Sequence, residues 1–159
     1  MSYTKADTIN SFAEVARGFC SWCEDPSLTI KREVAAAVWL STLYAAALVL
    51  PKVGSDNSDG LPAIPSVLLE QAEHNLAYFN GYYYREYFDP DPSLDEESVI
   101  GDVGDDLLDT YKDIRAGLLL FDTGQIADAL WHWSFMHQVH WGRHVVGAMF
   151  ALHCVYIPR

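Results

Sequence analysis

The chain has 159 residues, 50% of them hydrophobic and 20% charged, which excludes a disordered polymer and fits one domain able to bury roughly two thirds of its unfolded surface. Twenty-two acidic residues against ten basic ones leave a net charge of -12, and that argues against nucleic acid, whose phosphates need clustered Lys and Arg.

The opening MSYTKADTINSF has no apolar run behind a basic start, so no secretory signal is expected and the chain is read as cytoplasmic. Helical periodicity begins at about Thr4 and runs to Glu24, with Thr4 and Asp7 or Ser11 and Glu14 as alternative capping boxes and Pro26 as the stop. Within it, CSWC puts Cys20 and Cys23 on one helix face. Neither the strand context of a redox motif nor a second pair of zinc ligands accompanies them, so they and Cys154 are expected as free thiols, the helical pair buried.

A second helix is predicted from about Thr29 to Leu50, closed by Pro51. Its stretch Val34 to Leu50 is uncharged over 17 residues, the lower limit for a membrane span, but its alanines and the polar Ser41, Thr42 and Tyr44 favour a helix in a soluble core. PKVGSDNSDGLPAIPS follows as the one long loop, covering 51–65. A shorter helix runs from Ser66 to about Phe79 and breaks at Gly81. Tyr83 and Tyr87 belong to the tyrosine-rich stretch beyond it, which is either packing around that break or an aromatic contact surface. Ser93 and Glu96 offer a further capping box after DPDP.

The last two helices are predicted over about Ile100–Phe121 and Gln125–Val155, with Gly124 ending the first and Asp122 or Thr123 capping the second. No segment alternates like a strand. The fold expected is a single all-α domain over 1–159, a bundle of about five to six helices with a C-terminal antiparallel helix hairpin.

Both hairpin helices carry candidate site residues. At about 100° per residue, Asp102, Asp106, Asp109 and Asp113 fall within roughly 60° of one another, nearly opposite the apolar stripe of Val103, Leu107, Tyr111, Ile114 and Leu118. That geometry predicts a solvated acidic ridge. Like charges at i, i+4 destabilise a helix by a few tenths of a kcal/mol per pair, so a compensating partner such as a basic protein or a cation is anticipated. Asp105 sits beside the ridge and is the carboxylate best placed to turn toward the neighbouring helix.

WHWSFMHQVHWGRH, from Trp131 to His144, places Trp133, His137, His140 and His144 in one arc, with apolar residues on the other sides. A rod apolar nearly all round is one the bundle surrounds, so these imidazoles need hydrogen bonds, carboxylates or a metal. His140 and His144 have the i, i+4 spacing of helical metal sites, although Trp141 rules out HEXXH. Counting outward from the hairpin turn pairs Asp105 with His140 and Asp102 with Arg143 or His144, and a carboxylate from 102–109 is expected to clamp Arg143.

GDVGDDLLDTYKDIRAGL from Gly101, ALWHWSF from Ala129, HWGRHVVGAMFALH from His140 and the preceding YYREYFDP resemble a bacterial family known as Domain of Unknown Function 5063, over about Tyr82 to His153. The resemblance implies a small cytoplasmic bacterial helical protein and carries no activity, cofactor or functional residue with it.

Two readings remain open at this level. The first is a non-enzymatic module binding a basic protein partner through Asp102, Asp106, Asp109, Asp113, Tyr83 and Tyr87. The second is a metal-dependent hydrolase or small-ligand binder using Trp133, His137, His140, Arg143, His144 and Asp105. No serine-nucleophile elbow or phosphate loop is present, and the metal or cofactor, if any, is not specified.

Overall fold

The computed structural model describes residues 5–25, 31–55 and 60–158. Among them are six α-helices and one two-stranded sheet: α1 Lys5–Glu24, α2 Arg32–Leu48, α3 Ser66–Leu76, β1 Tyr83–Glu86, β2 Val99–Asp102, α4 Val103–Asp122, α5 Ile126–Val139 and α6 Trp141–Ala151. A 3-10 turn, Ala77–Phe79, prolongs α3, and a π turn, Leu152–Tyr156, ends α6. The protein is mainly α, as predicted, and no described helix is long and apolar enough to cross a membrane.

Each early helix buries one apolar row. In α1 the row is Phe12, Ala16, Phe19 and Cys23, and in α2 it is Ala36, Leu40, Leu43 and Ala47, both at helical spacing. Ser41 and Thr42 return their hydroxyls to the Val38 carbonyl at 3.0 and 2.7 Å, which satisfies the polar groups of an otherwise uncharged helix. Cys20 and Cys23 are buried thiols, as expected, whereas Cys154 is exposed. Ser11 lies inside α1 and caps nothing, and Thr4 lies outside the described residues.

Two corrections shape the site. The strands were not predicted: Gly81, with φ of 84°, turns the chain out of the α3 region, and Tyr83–Glu86 then pairs antiparallel with Val99–Asp102, Tyr84 opposite Gly101. Ser93 opens no helix; its backbone N–H and hydroxyl instead close a turn on the Asp91 carboxylate at 2.9 and 2.7 Å. Asp102, at the end of β2, is the true cap of α4, accepting from Gly104 N–H and Gly81 N–H at 2.8 Å each.

The rod that lies inside is not the C-terminal one. It is α4, packed against α1, α3, α5 and α6. The predicted apolar stripe of α4 is fully buried, and the opposite face is partly covered too, with Asp106 and Thr110 buried, Asp109 and Asp113 partly buried and Asp105 exposed. The C-terminal rod is not surrounded: Phe135, Val139, Val146 and Phe150 are all exposed. Nor is it continuous. At His140 the backbone leaves helical geometry (φ -143°, ψ -86°), dividing it into α5 and α6.

The α4–α5 connection behaves as predicted. Gly124, at φ 82°, donates to Phe121 O, and Gln125 donates back to Leu120 O at 2.9 Å, the reciprocal pair of a Schellman ending that only glycine accommodates without strain. Gln125 takes the cap position of α5 in place of Asp122 or Thr123. Further along, α4 and α5 approach closely enough that a Cβ at Gly117 would lie 2.1 Å from Trp133 Nε1.

Candidate metal centre

On α4, positions 106, 109 and 113 share one face, and α6 with the end of α5 lies across it. Asp106 accepts His144 Nδ1–H at 2.7 Å through Oδ1 and the Tyr84 hydroxyl at 2.7 Å through Oδ2. Asp113 accepts His140 Nδ1–H, also at 2.7 Å, while its backbone carbonyl meets His132 Nε2 at 2.9 Å. The two imidazoles stand edge to face, centroids 4.8 Å apart.

Each imidazole therefore spends Nδ1 on a carboxylate, which in the neutral ring selects the tautomer whose Nε2 carries a free lone pair. Beside them stands Asp109, whose Oδ2 is 3.8 Å from His144 Nε2 and whose other oxygen meets Lys112 Nζ at 3.4 Å. One ligand atom from each of Asp109, His140 and His144 lies within 4.8 Å of the others. Two ligands about 2.1 Å from a tetrahedral ion are separated by roughly 3.4 Å, so gathering them needs a contraction of up to about 1.4 Å. The side chains of Asp109 and His140 are 36% and 40% exposed, so both are reached by solvent.

Electrostatics separates the histidines. The hydrogen bond to Asp106 raises the pKa of His144, against an opposing effect of burial. Burial lowers those of His132 and His137. Tyr84 is held protonated well above the ordinary tyrosine range by burial and by its bond to Asp106.

Tyr84 is seated by glycines. A Cβ at Gly101 would lie 2.6 Å from its Cζ, and one at Gly147 would lie 2.2 Å from its hydroxyl oxygen. One strand and one helix thus close on the phenol without intervening side chains.

The predicted arc divides on opposite sides of the C-terminal rod. His140 and His144 face α4, whereas His137 packs its ring against Tyr44 and Trp141, at 4.9 and 4.7 Å. Trp133, expected among the binding residues, is instead a core residue: it is fully buried, Nε1–H donating to Ile114 O at 3.1 Å. Asp105 is exposed on α4 and does not reach His140, whose partner is Asp113. Asp102 caps its own helix and meets neither Arg143 nor His144.

The acidic ridge is not a solvated face. Asp106 is buried and Asp113 nearly so, both turned to imidazoles, because α6 covers this side of α4. Arg143 is not clamped by a carboxylate: its guanidinium donates to the backbone carbonyls of Tyr87 and Phe88 and stacks over the Phe88 ring at 4.8 Å. Tyr83 and Tyr87 stay exposed. Tyr84 was missed; its signal is a tyrosine in a short strand flanked by glycines, visible only once the strands are known.

A separate cleft of about 940 Å³ opens on the other side of α6, between α2, β1 with the residues after it, and α5. His137 and Arg143 line it, and Tyr84 is shared between the cleft and the Asp106 network.

Fold and site together describe a small mainly helical domain in which an inner acidic helix faces a paired-histidine segment. The chain belongs to the family described as Domain of unknown function (DUF5063), matched over residues 4–157. The match takes in the N-terminal half that the sequence motifs left unplaced. The chain is also similar to protein BF1032 from Bacteroides fragilis, a crystal structure, at 25% identity and a TM-score of 0.70 over 95% of this chain and 96% of that one. No curated protein matches the chain.

Proposed function

We propose that the protein binds a divalent first-row transition-metal ion through Asp109, His140 and His144. The observation that carries this reading is the second layer: both imidazoles give Nδ1–H to dedicated carboxylates, Asp106 and Asp113, at 2.7 Å, the arrangement that orients histidine ligands and raises their basicity. Two imidazoles and one carboxylate suit zinc, iron or nickel better than calcium or magnesium, which take all-oxygen shells. Three protein ligands leave a four-coordinate ion one position for water, which the ion acidifies, so metal-assisted hydrolysis is the reaction class that fits.

The alternative of a basic protein docked on the ridge has less support, since the carboxylates it needs are engaged with imidazoles. A structural ion-pair network is the remaining competitor, and a metal titration separates them. Untagged protein, stripped with chelator, is titrated with zinc by calorimetry and checked by elemental analysis, alongside Asp109→Asn, His140→Ala and His144→Ala. The expected result is about one ion per chain, with each variant weakened by at least the roughly 10–100-fold that loss of an outer-layer partner alone costs. Affinity unchanged in all three variants, or no zinc bound by the parent, defeats the reading.

A further inference from the structure

The cleft on the far side of α6 has a charge balance opposite to that of the chain. Of ten Lys and Arg, three line it, Lys52, Arg85 and Arg143, with Glu86 the only acid among the lining residues, in a protein of net charge -12. Arg143 turns two of its five N–H donors to the Tyr87 and Phe88 carbonyls and adds its charge to the cleft. Lys52 and Arg85 are exposed, and neither has a carboxylate partner among the described residues. The walls also carry Ser134, His137 and Gln138, but their larger part is apolar, formed by Tyr44, Leu48, Val146 and Phe150. Leu48 and Phe150 are 64% and 61% exposed and, with Val146, give the cleft an open apolar wall. The cleft is also lined by His137, whose Nε2 is buried with no hydrogen-bond partner among the described residues.

We propose that this cleft binds a small amphipathic carboxylate, its hydrocarbon chain laid along Leu48, Val146 and Phe150 and its anionic head drawn to Lys52 and Arg85. The volume of about 940 Å³ lies at the upper end of small-ligand sites, room for a chain of about ten carbons and its head group. Apolar walls supply affinity, and a local excess of positive charge in an acidic molecule supplies selection among amphiphiles by sign. The site shares no ligand atom with the metal centre and does not rest on that reading.

Calorimetry with decanoate, 1-decanol, decylammonium and acetate, each below its micellar concentration, tests the proposal. It is run in chelator on Asp109→Asn protein, so that the outcome is independent of any bound ion. Decanoate is expected to bind at least about 10-fold tighter than 1-decanol or decylammonium, and acetate not measurably. Lys52→Met with Arg85→Met keeps the aliphatic stems and abolishes that preference. Val146→Trp, at an exposed helix position, fills the cleft and lowers decanoate affinity at least about 10-fold while the circular dichroism spectrum is unchanged. No decanoate binding by the parent, equal affinity for the three amphiphiles, a preference surviving the double substitution, or full affinity in Val146→Trp overturns it.

Discussion

Replacing Gly117 by alanine opposes two effects of known size. On helix propensity alone, the change inside α4 stabilises by about 1 kcal/mol. Against it, the new methyl would lie 2.1, 2.5 and 2.6 Å from Nε1, Cδ1 and Cε2 of Trp133. The indole has nowhere to retreat: it is fully buried, packed on Phe12 at 4.8 Å and Phe121 at 6.0 Å, and held by its bond to Ile114 O. Overpacking of this kind costs about 1–3 kcal/mol, and a buried N–H or carbonyl stripped of its partner adds about 1–3. The net is a loss of about 1–5 kcal/mol, which at roughly 2–4 °C per kcal/mol lowers the melting temperature by about 2–20 °C. Thermal denaturation followed by circular dichroism measures it. Trp133→Phe combined with Gly117→Ala provides the control, because the smaller ring makes room and the double variant then loses less than the sum of the single ones. A melting temperature for Gly117→Ala equal to or above that of the parent refutes the claim that α4 and α5 meet at this contact.

Three further outcomes follow from the site and its surroundings. Asp106→Asn keeps the shape but offers one acceptor to two donors, so His144 loses its fixed tautomer and zinc affinity falls about 10–100-fold in calorimetry, with the chain still folded; undiminished affinity removes Asp106 from the metal's outer layer. Histidine resonances followed by NMR in chelator should show His132 and His137 titrating below the usual value near 6.5 and His144 above it. The stabilising contribution of His144 is complete below about 6.5 and is lost as pH rises through its higher folded pKa; that of His132 is present above about 6.5 and is lost as pH falls through its lower one. Arg17 and Asp122 form a two-pronged pair, at 2.8 and 3.2 Å, but both are exposed, so Asp122→Ala should cost less than about 1 kcal/mol in denaturant unfolding.

The helices were legible because their apolar rows repeat every three to four residues and their ends carry Pro or Gly. Gly124 marked the hairpin turn for the same reason. The strands were not legible: each is four residues long, they pair across a twelve-residue excursion, and a run of tyrosines shows no alternation. The histidines were found, but their partners were misassigned. Counting outward from the turn assumes an unbroken rod, and the break at His140 is marked only by Gly142 two residues on, where a Cβ would lie 2.2 Å from His137 O. The ridge was misread because a helix with apolar residues on one face and acids on the other looks half-exposed even when a second, polar neighbour covers the acids. Amphipathicity reports the chemistry of what a face meets, not whether it meets water.

The phenol of Tyr84 is gripped by main chain, from Gly101 on one side and Gly147 on the other. Side chains that position a catalytic or ligating group can swing to another rotamer; a vice made of backbone cannot, short of moving a strand or a helix. The hydroxyl, the carboxylate it touches and the imidazole beyond inherit that stiffness in turn, so the alignment of His144 is fixed by two residues that contribute no atoms beyond the peptide chain itself.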